Sequence, residues 1–180
     1  TLADGVVAFE PRWALWSDTA SKNRWFQLPA GEMIDTSDPD GWVFPVGTKA
    51  WKEFTRDEVR VETRFLEKVG PGDYDGEWRM VAYLWNDDQT AAVAQPEGLE
   101  DASGTDHDLP DDDGCNTCHS GAADVLLGIS ALQLDHAGDG VTLGSLTDAG
   151  RLSAPISAPP DLPGDADAQA ALGYLHANCG

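Results

Sequence analysis

Apolar and polar residues alternate most clearly at Val59–Phe65. There Val59, Val61, Thr63 and Phe65 are separated by Arg60, Glu62 and Arg64. Period two of this kind is the pattern of a β-strand with a charged outer face. Four more runs read as strands: Arg24–Leu28, Trp42–Pro45, Lys49–Thr55 and Glu77–Trp85, with the first pattern extending over Val59–Val69. Glu77–Trp85 carries apolar residues on both faces, which predicts a central strand. Turn signals separate the runs at Pro29–Gly31, Asp38–Gly41, Pro45–Gly47 and Gly70–Asp73.

The periodicity changes in the second half. Val125, Ile129, Leu132 and His136 recur at helical spacing, so a helix is predicted over Ala123–Asp135. Leu143–Ala149 reads as a short helix and the proline-rich Ser153–Pro163 as extended chain. Asp165 is a suitable N-cap for a last helix running to about Ala177, with Leu172 and Leu175 on its inner side. The expected class is α+β: a β-rich sandwich or open barrel over residues 1–96, an acidic linker over 97–114, and a small helical region over 115–180.

Charge sharpens this division. Ten of the eleven basic residues lie in residues 1–79, and only Arg151 lies beyond. All seven Trp lie at or before Trp85, while residues 80–180 carry seventeen acids. The net charge of −21 argues against nucleic acid and anionic membrane surfaces as partners. It favours a protein kept soluble in a salty or crowded extracellular setting, or one that meets a basic partner drawn in by long-range attraction. No run is long and apolar enough to predict a membrane span.

The chemistry-bearing stretch is Cys115-Asn116-Thr117-Cys118-His119, a C-x-x-C-H. Two thiols at this spacing can each bond one vinyl group of a single porphyrin, which is the attachment pattern of haem c. His119 then stands next to the iron as its proximal ligand. For the sixth position the candidates are His107, His136, His176, Met33 and Met80. His136 is preferred, because it ends the predicted helix whose apolar side would pack on the porphyrin. A zinc reading stays open beside it: Cys115, Cys118, His176 and Cys179 form two pairs with two-residue spacing. Neither a nucleophile elbow, nor a phosphate-binding loop, nor a zinc-protease motif is present, so an electron carrier is expected rather than a catalyst. The alternatives are a zinc-stapled or haem-containing structural subunit, or a haem enzyme with an open distal position.

Several segments resemble a family of bacterial exported dihaem c-type cytochrome-like proteins. They are Leu15–Asp18, Phe44–Thr48, Glu62–Leu66, Tyr83–Thr90, Cys115–His119 and the closing Tyr174–Gly180. The resemblance implies export to the periplasm or beyond, covalently attached haem c, and electron transfer to a redox partner. It also implies that Cys179 opens a second C-x-x-C-H whose remainder lies past Gly180. On that reading residues 115–180 are a truncated cytochrome c-like region, and a second haem needs a longer polypeptide; the start at Thr1 rather than Met fits either a mature chain freed of its signal peptide or a fragment.

Overall fold

The computed structural model describes residues 2–39, 41–71 and 77–179. Its centre is one six-stranded antiparallel sheet in which every strand pairs with its neighbour in sequence. The strands are β1 (Val7–Ala8), β2 (Ser21–Gln27), β3 (Lys49–Arg56), β4 (Val59–Lys68), β5 (Trp78–Trp85) and β6 (Ala92–Ala94). Four short helices follow: α1 (Asp112–His119), α2 (Ala131–Leu134), α3 (Leu143–Asp148) and α4 (Ala166–Cys179). The protein is thus mainly β. The expected α+β class, a sandwich or barrel followed by a helical haem region, is overturned by this single sheet and its sparse helices.

The meander has local causes. The β3–β4 hairpin turns on Asp57 and Glu58, both with positive φ (48° and 66°), a two-residue turn whose twist matches the strands it joins. A register shift between Phe54 and Thr55 follows in β3. β5 lies between β4 and β6, as its apolar faces predict. Trp42–Pro45, expected as a strand, makes only an isolated antiparallel bridge between Val43 and Asp35. In the expected turns, Asp40, Gly72 and Asp73 lie outside the described residues.

One sheet face is covered. The aligned residues Phe26, Ala50, Leu66 and Met80 run across β2 to β5 on this face. They pack with Val125, Leu126, Ile129, Ala131, Leu134, Leu143 and Leu146 from beyond α1. The main core therefore draws on both halves of the chain. A smaller cluster joins Val61 and Ala82 to Ala102 and Leu109. The acidic stretch 97–114 is accordingly not a plain solvated loop. It holds a bridge between Leu99 and Leu109 and buries His107.

The charged residues of β4 also reverse their expected orientation. Arg64 aligns with Lys52 and Ala82, and Glu62 with Phe54 and Leu84. Glu62 is 0% exposed, so this charged set points into the covered side. The aromatic set Trp25, Trp51 and Phe65 takes the opposite face, half-buried. Period two identifies the two sets; only the covering segments decide which is inside.

The helix expected over Ala123–Asp135 shrinks to the four residues of α2. Val125 and Gly128 adopt positive φ (61° and 85°), which ends any helix there. Burial of Val125 and Ile129 is retained by an irregular loop. α3 forms as expected, with a capping box between Thr142 and Ser145. α4 begins after Asp165, whose carboxylate accepts from Ala168 N at 3.0 Å. Leu172 and Leu175 are exposed rather than inward. The helix instead docks through Gly173, where a Cβ would collide with the Trp13 ring.

Candidate functional site

The C-x-x-C-H motif forms α1. Asp111 caps it, its carboxylate accepting from Gly114 N at 2.8 Å, and Asp112 and Asp113 complement the helix dipole in the first turn. A three-residue helical step sets Cys115 and Cys118 on one side, a turn apart. Cys115 is buried and Cys118 exposed, both as free thiols. Together with His119 they line a recess of about 20 Å³ against the sheet, closed by Arg64, Leu66 and Met80.

His119 is oriented through its far nitrogen. Nδ1 lies 2.6 Å from the Val125 carbonyl, which can only accept. The proton therefore sits on Nδ1, and Nε2 keeps its lone pair. Burial, aided by the nearby Lys52 and Arg64 charges, lowers the His119 pKa, against the opposing pull of that hydrogen bond. The result is a neutral imidazole with a fixed tautomer and one free ligand nitrogen, which is what a metal-bound histidine needs. Burial raises the pKa of Cys115, so its sulfur stays a thiol.

The Val125 carbonyl is itself held at a cost. A β-branched residue in left-handed backbone loses about 1–2 kcal/mol. The neighbouring Asp124 offsets it. Its carboxylate accepts from Phe44 N at 2.6 Å, Lys68 Nζ at 2.7 Å and Trp78 Nε1 at 2.8 Å. Lys68 and Asp124 are almost fully buried, so this ion pair ties the loop to the end of β4 and the start of β5.

A second, larger cleft of about 240 Å³ opens on the same sheet face, lined by Trp16, Lys52, Phe54, Arg64, Asp106 and His107 among others. Arg64 borders both spaces. Its guanidinium grips Glu62 through Nε and Nη2 at 2.7 and 3.0 Å. Glu62 in turn meets His107 Nε2 at 2.8 Å. Lys52 and Lys22 flank this group. Burial first, then the neighbouring Arg64, Lys22 and Arg24 charges, push the Lys52 pKa down to about 7. Lys22 falls to about 8, again chiefly through burial, with Arg24 and Arg64 adding.

Cys115, Cys118 and His119 come together as the motif expects. His136 is not brought to them. Its Nε2 meets the Glu10 carbonyl at 2.8 Å and its Nδ1 accepts from Gly138 N at 2.9 Å, so both ring nitrogens are engaged. Met33 is exposed at the surface, and His107 is committed to Glu62. Met80, read from the strand pattern as core, is the one sixth-position candidate that lines the recess with His119. The zinc set does not assemble: among the described residues no three His, Cys, Asp or Glu converge for a metal. His176 and Cys179 sit exposed on α4.

Asp124, Lys68 and Lys52 were not singled out by the sequence pattern, and Val125 and Arg64 were read only as a helix face and an outer strand face. Nothing in a lone Asp-Val pair announces a pinned loop, and the β4 charges read as solvent-facing. No helix among the described residues is long and apolar enough to cross a membrane. No family model, curated protein or solved structure matches the chain.

Proposed function

We propose that this protein is a c-type cytochrome that carries single electrons in the periplasm or outside the cell. The observation that carries this reading is the His119–Val125 hydrogen bond, which leaves Nε2 as a neutral donor beside two thiols on the same recess. Cys115 and Cys118 would each add their S–H across one vinyl group, sulfur bonding carbon and the proton going to the neighbouring carbon. His119 would hold the iron through Nε2, with Val125 keeping the ring from turning. Haem c supplies reversible one-electron exchange, and the chain's part is to set its potential. Leu66 and Met80 line the recess beside His119, and the chain's net negative charge favours the more positive, oxidised state. The C-x-x-C-H reading and the resemblance to exported dihaem cytochromes support the same conclusion.

The recess beside α1, about 20 Å³, is far smaller than a porphyrin, so loading requires α1 to open from the sheet. The test is expression in a host that attaches haem c, followed by pyridine haemochrome spectroscopy and intact mass. One haem per chain is expected, lost in Cys115→Ala/Cys118→Ala. His119→Met should retain the covalent haem, change its spin state and raise its potential, because a thioether favours ferrous iron. A colourless protein with three free thiols, from a host that loads other c-type cytochromes, would refute the assignment.

A further inference from the structure

Seven of the eleven basic side chains meet a carboxylate within ion-pair distance. Lys52, in the middle of β3, is not one of them. Among the described residues its Nζ has neither a carboxylate nor a hydrogen-bond partner, and it rests 5.3 Å over the Phe54 ring. The charged groups that face it are Lys22 and Arg24 from β2 and Glu62 and Arg64 from β4. These are three cations and one carboxylate, and Arg64 already grips the carboxylate. His107 leans on the same aromatic ring, with centroids 5.1 Å apart. Glu62 accepts from His107 Nε2 at 2.8 Å, so in the neutral imidazole the lone pair stands on Nδ1. That nitrogen has no partner among the described residues.

Both groups can be reached. Among the described residues, Trp42 Nε1 alone is at once sealed from solvent and unpartnered. The unpartnered Lys52 Nζ and His107 Nδ1 are therefore open to solvent, and both residues line the cleft of about 240 Å³. Burial first, then the surrounding cations, bring the Lys52 pKa to about 7, so the amine holds its lone pair near neutral pH. Such an amine is a nucleophile toward a carbonyl carbon. The cleft also restricts what enters. Trp16 and Phe54 offer apolar ring surface, and Asp18, Asp106 and Asp108 line it too. Of these three acids only Asp106 is ion-paired, with Arg56. Arg64 has Nε and Nη2 committed to Glu62. A carboxylated ligand is disfavoured there, and an uncharged one is not.

We propose that Lys52 and His107 form a site for reversible covalent capture of a small uncharged aldehyde. Lys52 Nζ bonds the carbonyl carbon while the C=O π pair moves onto oxygen. His107 Nδ1, on the same aromatic ring, relays the protons. The oxygen then leaves as water with both hydrogens of the amine, and a C=N bond remains. No oxidant or further reactant is needed, and water reverses the step. The inference is independent of the haem reading, since neither Lys52 nor His107 lines the recess of Cys115, Cys118 and His119.

The test is reductive trapping on the purified full chain. Benzaldehyde is added with sodium cyanoborohydride, which fixes the imine as a benzylamine, and intact mass and peptide mapping locate it. At pH 7 Lys52 should be labelled about tenfold or more faster than Lys49 on the opposite sheet face, since a solvent-exposed lysine is almost wholly ammonium at that pH. The rate at Lys52 should rise with pH through about 7. It should level off as benzaldehyde is raised, as a bound complex requires. 4-Carboxybenzaldehyde, which differs by one carboxylate, should react several-fold more slowly. His107→Gln should slow trapping several-fold, with Lys52 still the labelled residue. Labelling at like rates over Lys22, Lys49 and Lys52, or a rate that never levels off, would overturn the site. A faster carboxylated aldehyde would overturn the uncharged ligand, and an unchanged rate in folded His107→Gln would remove His107 from the step. The site and its ligand class are decided on the wild-type chain, so a variant that fails to fold leaves both open to refutation.

Discussion

The orientation of one ring nitrogen depends on residues far from it in sequence. His119 is fixed by the Val125 carbonyl, Val125 by the strain that Asp124 offsets, and Asp124 by Lys68 and Trp78 of the sheet. Removing one partner of a buried ion pair leaves the other uncompensated, which typically costs about 3–5 kcal/mol. Asp124→Asn should lower stability by that order in chemical denaturation. It should also release the His119 ring, speeding exchange of its Nδ1 proton in the NMR spectrum, where Asp135→Asn, on the neighbouring loop, should do neither. An Asp124→Asn protein with unchanged stability and spectrum would disconnect the loop from the histidine. The grouping of Cys115, Cys118 and His119 was legible, because C-x-x-C-H is a local pattern contained in five residues of one helix. Asp124 and Lys68 lie fifty-six positions apart, and no local pattern links them. His136 illustrates the converse: its helical spacing pointed to the porphyrin, but the helix that would have aimed it does not form, and Glu10 and Gly138 hold the ring instead.

At the scale of elements, the central strands and the last two helices were read nearly to their ends, and the helix over 123–135 was not. β3, β4 and β5 follow the alternating pattern nearly to their ends, since a pleated strand shows its period directly in sequence. Residues 123–135 carry helical spacing yet wrap the core irregularly, because tertiary pinning at Asp124 and positive φ at Val125 and Gly128 override it. β1 and β6, of two and three residues, are too short to show any period. α4 is the most separable element. It carries almost no buried side chain and is attached through Gly173 against Trp13 and through Asn178 Oδ1, which accepts from Trp16 N at 2.7 Å. Gly173→Ala adds a methyl group where the indole already lies, an overpacking that costs about 1–3 kcal/mol when the structure must absorb it. Here the helix can lift away instead. The expected outcome is therefore faster amide exchange confined to residues 166–179 and the segment around Trp13, with the sheet amides unchanged. Uniform acceleration across β2–β5 would show that α4 is part of the cooperative core.

Over the whole molecule, charge is the property most certain to be felt by a partner. The net charge is −21, and Lys22, Arg24, Lys52 and Arg64 face the covered side of the sheet. The outer surface is thus more uniformly negative than composition alone conveys. Attraction of this kind acts over about a Debye length, roughly 10 Å at 0.1 M salt, and fades as salt is added. A basic redox protein should be drawn in, and an acidic one held off. On the proposed cytochrome reading, this is tested with two small redox reagents of opposite sign, so that no natural partner need be known. Reduction by a cationic ruthenium ammine should slow several-fold as ionic strength rises from about 0.01 to 0.2 M. Oxidation by ferricyanide should quicken over the same range. If ferricyanide instead slowed as salt was added, the face that exchanges electrons would be positively charged in spite of the net charge, and the attraction of a basic partner would be refuted.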